Sequence, residues 1–223
     1  MSIRKISFAP EEYYHIYNRG NSKQKIFLDK KDYDRFLKLV FLCNSQKNIN
    51  FRDLFKYNDD VFAFDRGDTL VDIGAYCLMS NHFHLLIREK ADGNITLFMQ
   101  KLATAYVMYF NKKYDRTGSL FEGKFKSQHI NSDRYLKYIF SYIHLNPIKI
   151  IDSKWKEMGV QDKNKAYDFC SQYEYSSLVS FNKDKMAKYA IILNVTVFPK
   201  YFTNSKEYEL EIFEWLDFSL GKA

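Results

Sequence analysis

Two histidines, His82 and His84, stand one residue apart in CLMSNHFHLLIREK, residues 77–90. The LLI segment that follows is strand-forming. On a strand, side chains two residues apart share a face. His82 and His84 therefore face one way with Leu86, while Phe83, Leu85 and Ile87 face the other, apolar way. Two imidazoles roughly 7 Å apart along a strand can converge on one metal ion. The same spacing also fits two partly exposed surface histidines. A closed structural zinc site needs four ligands, and no nearby Cys or His cluster supplies them. An open site, completed by water and phosphate oxygens, suits the pair better.

A second constellation lies in RYLKYIFSYIHLN. Tyr135, Tyr138 and Tyr142 recur at three and four, and Asn146 follows Tyr142 by four. Positions i and i+4 share a helix face, so Tyr142 and Asn146 can present a phenol and an amide oxygen to one point. An amphipathic helix with tyrosines, closed by a plain asparagine C-cap, fits the same residues.

The elements that must carry these groups can be read along the chain. YYHIYNRG, residues 13–20, reads as a strand ending at Gly20. Asp29 or Lys30 opens a helix to about Ser45, with Phe36, Leu37, Val40 and Phe41 at helical spacing. Residues 48–68 lack clean periodicity and read as an insertion. TLVDIGAYCLMS and NHFHLLIRE read as two strands joined tightly at Ser80 and Asn81. A helix over about 95–113 and a strand over about 123–130 follow. Ser132 or Asp133 then caps the tyrosine helix, and Pro147 ends it, because the residue before proline resists the helical region. This order predicts an α+β fold: a ferredoxin-like split βαββαβ antiparallel sheet with an added tyrosine-bearing helix. The expected division is a catalytic domain over 10–150 and a helical C-terminal extension over 151–223. In that extension, YEYSSLVSF and SKEYELEIFEWLDF read as short helices packed on the outside.

Composition narrows the partners. The 223 residues carry a net charge of +7, with 46% hydrophobic and 27% charged residues. Such a chain is globular, and its basic surface favours an anionic partner, nucleic acid before membrane. Among 18 Tyr and 20 Phe, many interleave with cations, as in KYDRTGSLFEGKFK. Aromatic faces can stack unpaired bases while cations hold phosphates. Lys112, Lys113, Arg116, Lys124 and Lys126, with Arg19 of the first strand, are the candidate DNA-binding residues. Cys43, Cys77 and Cys170 are isolated, which supports neither a zinc knuckle nor a disulfide framework. The N-terminal MSIRKISFAPEEYY lacks a signal-peptide core, and no apolar run approaches the roughly 20 residues that span a bilayer. A cytoplasmic protein with no membrane partner is expected.

Taken in order, YHIYNRG, MSNHFHLLI, GSLFEGKFK, YIHLNPIK and YEYSSL resemble the single-tyrosine HUH transposases, IS200-like, and within them the REP-associated tyrosine transposase branch. The resemblance covers roughly residues 10–180. It implies a divalent metal, Mg or Mn, on His82 and His84, with Asn146 completing the site and Tyr142 as nucleophile. It implies an enzyme that cleaves and rejoins single-stranded or hairpin DNA through a covalent 5′-phosphotyrosine, and a possible homodimer. Two departures from the family pattern are the 48–68 insertion and Ser80, where a proline is usual. Two other functions compete: a non-catalytic single-stranded DNA or hairpin-binding protein, and a metal-dependent phosphodiesterase that uses water.

Overall fold

The computed structural model of the chain describes residues 7–57, 60–181, 188–201 and 205–218. The first six residues of the N-terminal stretch, residues 58–59 of the insertion, and residues 182–187, 202–204 and 219–223 of the C-terminal extension lie outside the described residues.

Strand β1 covers Tyr13–Arg19. Its end is fixed by Gly20, where a Cβ would lie 2.1 Å from the Gln24 carbonyl oxygen. Helix α1, Lys30–Cys43, opens on a capping box in which the carboxylates of Asp29 and Asp32 each accept the other's backbone N–H. Helix α2, Phe51–Tyr57, lies within the insertion read as irregular. It packs on α1 through Arg35, whose guanidinium sits 3.5 Å over the Phe55 ring.

Strands β2, Val71–Met79, and β3, His82–Glu89, form a hairpin across Ser80 and Asn81. Helix α3, Asn94–Lys113, strand β4, Lys126–Ile130, and helix α4, Asp133–Leu145, complete the core. The strand order is β2-β3-β1-β4 and every pairing is antiparallel. This is the split βαββαβ sheet expected from the order of elements.

The sheet has two faces. Phe83, Leu85 and Ile87 pack with Phe36, Leu102 and Tyr106 of α1 and α3. Each such fully buried side chain contributes about 1.5–3 kcal/mol. Leu86, Ala75 and Cys77 face the other way, against Ile139, Phe140 and Ile143 of α4. The period-2 alternation read from β3 is therefore the alternation of the two cores.

Two expectations need correction. Asn146 and Pro147 both adopt right-handed helical backbone angles, and Pro147 leads directly into helix α5, Ile148–Ile151. Helix α4 stops there because Pro147 has no N–H to donate, while the residue before it does enter the helical region. The YEYSSL segment also does not pack outside. The Leu78 N–H donates to the Tyr175 carbonyl at 2.9 Å and the Tyr76 N–H to Ser177 Oγ at 2.8 Å. Ser176 and Ser177 are buried along the outer edge of β2, which protects that edge from pairing with other chains.

Helices α6, Trp155–Met158, α7, Lys163–Gln172, and α8, Ser205–Phe218, follow. Leu145, Ile148, Trp155, Cys170, Tyr208 and Ile212 form a third core between them and the end of α4. Among the described residues, no helix is long and apolar enough to cross a membrane.

Candidate active site

His82 and His84 lie on the α4 face of β3, with ring centroids 5.0 Å apart. His84 is buried and His82 half-buried. Each ring engages a partner through Nδ1. His82 Nδ1 is 2.6 Å from Asn81 Oδ1, and His84 Nδ1 is 2.8 Å from His15 Nε2. Asn81 Oδ1 only accepts, so His82 Nδ1 is the donor in this contact.

Helix α4 lies across this face. The Tyr142 ring stands edge-on to His84 at 5.7 Å and edge-on to His15 at 5.8 Å between centroids. Burial pushes its phenol up to about 12, and the neighbouring Tyr138 and Tyr17 add to the shift. Tyr138 stacks on Tyr135 at 6.0 Å and lies tilted against Tyr142 at 5.8 Å, and burial raises its pKa too. Tyr142 and Tyr138 are both half-buried.

Asn146, 1% exposed, donates from Nδ2 to the Tyr142 carbonyl at 2.8 Å. Its Oδ1 is buried without a hydrogen-bond partner. An orphaned buried acceptor is costly, commonly about 1–3 kcal/mol, and a cation is one group that would satisfy it. Among the described residues, no cluster of three or more His, Cys, Asp or Glu side chains suits a metal ion. The groups that could serve a cation here are the two imidazoles on the β3 face and, one helical turn beyond Tyr142, the Asn146 amide oxygen.

Helix α4 is anchored from behind. His144 is fully buried and its pKa is pushed down to about 3 by that burial. Its Nε2 lies 2.6 Å from Ser177 Oγ, and its Nδ1 is hydrogen-bonded to the Tyr208 hydroxyl. Ser177 Oγ also accepts from the Tyr76 N–H. This buried chain ties the tyrosine helix to β2 and α8, so Tyr142 is carried on a rigid element.

The candidate DNA-binding residues differ in how far their charges are already engaged. Arg19 makes a two-pronged ion pair with Glu122 at 2.5 and 2.9 Å. Lys124 and Lys126 are exposed beside it at the start of β4. Lys112 is exposed at the end of α3. The Lys113 ammonium is held by Asp29 at 2.8 Å and Asp32 at 2.7 Å. The Arg116 guanidinium donates to Gln24 Oε1 at 3.1 Å and lies 5.5 Å over the Phe110 ring. A cavity of about 610 Å³, lined in part by Phe8, Asn18, Phe83 and Lys124, opens on the opposite face of the sheet from the histidines.

His15 and Asn81 were not among the residues singled out from sequence. His15 is 5% exposed, and burial pushes its pKa down to about 4. A signal existed: His15 alternates with Tyr13 and Tyr17 just as His82 alternates with His84. What joins the two patterns is the pairing of β1 with β3, where Tyr17 faces His84.

Residues 32–146 match the family described as transposase IS200 like. No curated protein matches the chain. Among solved structures, the chain is similar to a REP-associated tyrosine transposase bound to a REP hairpin. That likeness has 12% identity and a TM-score of 0.47, over 81% of this chain and 85% of that one. It is also similar to tRNA(His) guanylyltransferase from Saccharomyces cerevisiae, with 14% identity and a TM-score of 0.35, over 77% of this chain and 76% of that one.

Proposed function

The chain belongs to the IS200-like transposase family, and from that membership we propose that it cleaves and rejoins single-stranded or hairpin DNA through Tyr142. The observation that carries this reading is the edge-on contact of the Tyr142 ring with His84, on the face shared with His82. The net charge of +7 suits a polyanionic substrate.

His82, His84 and Asn146 would hold a divalent cation, magnesium or manganese, since imidazole suits the latter and oxygen donors both. A cation there neutralises charge on the scissile phosphate and lowers the cost of forming a phenolate. Tyr142 Oη forms the bond to phosphorus, and the bond from phosphorus to the 3′ oxygen breaks. The phenol proton leaves to solvent, and the departing oxygen takes up a proton as a 3′-hydroxyl. The 5′-phosphotyrosine conserves the bond energy. A second strand's 3′-hydroxyl can then displace Tyr142 without ATP. Helix α4, held by His144, keeps the phenol and the Asn146 amide in fixed relation.

The test is denaturing electrophoresis of the protein with a labelled hairpin oligonucleotide and Mn²⁺. A covalent adduct is expected, and its loss is expected in the His82→Ala/His84→Ala double variant with DNA binding retained. Full adduct formation by the double variant would refute the metal site. Cleavage without an adduct would identify a water-using phosphodiesterase, and binding without cleavage a non-catalytic module.

A further inference from the structure

A neutral imidazole binds a cation only through the nitrogen that lacks the proton. Left alone in water, the neutral histidine side chain favours the tautomer protonated at Nε2. A histidine that ligates through Nε2 must therefore be held in its less favoured tautomer by an acceptor at Nδ1. His82 has one in Asn81 Oδ1, and the Asn81 amide is oriented by donation from Nδ2 to the Lys23 carbonyl at 3.2 Å. The atom in the equivalent place beside His84 is His15 Nε2, 2.8 Å from Nδ1.

We propose that His15 is the positioning residue of His84: its Nε2 accepts the Nδ1 proton of His84 and keeps the Nε2 lone pair for the cation. This rests on the reading of His82 and His84 as metal ligands. The two rings are nearly parallel, at 23° with centroids 5.0 Å apart. His15 is buried, so water does not readily take its place. Its position is set by the backbone, because β1 lies beside β3 with His15 opposite Leu86 and Tyr17 opposite His84. The imidazole of His15 thus reaches diagonally along the shared face. An aliphatic residue there would fill the space but accept no proton. A carboxylate would bring an unpaired charge into a buried place. His15 contacts neither DNA nor cation in this reading; it touches the Tyr142 ring and acts on the cation through His84.

Long-range nitrogen–proton NMR on the full chain, labelled with ¹⁵N-histidine and free of metal, reads each tautomer directly. Mn²⁺ affinity is measured separately by calorimetry. In the native chain His84 is expected to carry its proton on Nδ1. His15→Leu should move that proton to Nε2 and weaken Mn²⁺ binding by about 10–100-fold. His15→Gln, whose Oε1 is an acceptor, should restore both. A packing role alone predicts the reverse order, with Leu at least as good as Gln. Native His84 protonated at Nε2 overturns the proposal without any variant, as does a His15→Leu chain with unchanged tautomer and affinity. If the native chain binds no Mn²⁺, the metal reading fails, and the tautomers of His84 in the native and Leu chains still decide the role of His15.

Discussion

Replacing Tyr142 by Phe removes one hydroxyl and leaves a ring. The ring contacts to His84 at 5.7 Å, His15 at 5.8 Å and Tyr138 at 5.8 Å survive the change. So does the bond from Asn146 Nδ2, which ends on the Tyr142 backbone carbonyl. The loss to stability is at most that of one hydrogen bond, about 1 kcal/mol, or roughly 2–4 °C in Tm for a chain of this size. The chemical loss is complete, because without the phenol oxygen no phosphotyrosine can form. Burial that lifts the phenol to about 12 adds roughly 3 kcal/mol to the making of a phenolate. Chelating divalent ions should therefore stop the native reaction as well. Tyr138→Phe is the control, since the Tyr138 ring stacks on Tyr135 and lies tilted against Tyr142. It should keep adduct formation within about tenfold, or roughly 1.4 kcal/mol of barrier. A 3′-labelled oligonucleotide carries its label into a 5′-phosphotyrosine adduct, and peptide mapping of the trapped species names the tyrosine. A DNA-linked peptide containing Tyr138, or any tyrosine outside α4, would overturn the assignment.

Further outcomes follow from which cations are exposed and which are paired. Lys124→Gln and Lys126→Gln should each reduce the salt dependence of hairpin binding by about one unit of slope, read from titrations at several salt concentrations. Lys113→Gln should leave that slope unchanged, because its ammonium is engaged by Asp29 and Asp32; a fall in slope would mean that Lys113 releases its carboxylates to hold phosphate. For Asp32, burial acts to raise the pKa, but hydrogen bonds from Lys113, Tyr114, the Leu28 N–H and Tyr109 outweigh it and hold the carboxyl below its usual range. A depressed folded pKa stabilises above the ordinary carboxyl value, about 4, and that stabilisation is lost as pH falls through the folded value. Urea unfolding should accordingly give Asp32→Asn a clear deficit at pH 7 that shrinks below about pH 4. Lys113→Met should cost roughly 3 kcal/mol at pH 7. A deficit for Asp32→Asn that does not change with pH would refute the coupling.

Local periodicity was enough for much of the molecule. Alternation in FHLLI separates Phe83, Leu85 and Ile87 from Leu86 and the two histidines, because a strand turns its side chains with period two wherever it sits. Helical spacing likewise puts Tyr142 and Asn146 one turn apart, whatever lies across from them. The order of elements implied the split sheet, since short hairpins and crossover helices leave few topologies open. Other features depend on which distant segments meet, and no local period carries that. His15 reaches His84 only because β1 is inserted beside β3 in one register; a slip of one residue would turn it to the opposite face. Lys113, read as a phosphate contact from its neighbours in sequence, also meets Asp29 and Asp32 some eighty residues earlier. The YEYSSL segment looks like a surface helix by composition, but the open edge of β2 offers its backbone and serine hydroxyls hydrogen-bond partners. At Asn146, the ordinary reluctance of a pre-proline residue to be helical yields to a tightly packed turn that buries the amide and leaves its oxygen without a hydrogen-bond partner. Steric preference at one residue is worth less than the burial gained by the helices on either side of it, and only the assembled tertiary structure sets those two against each other.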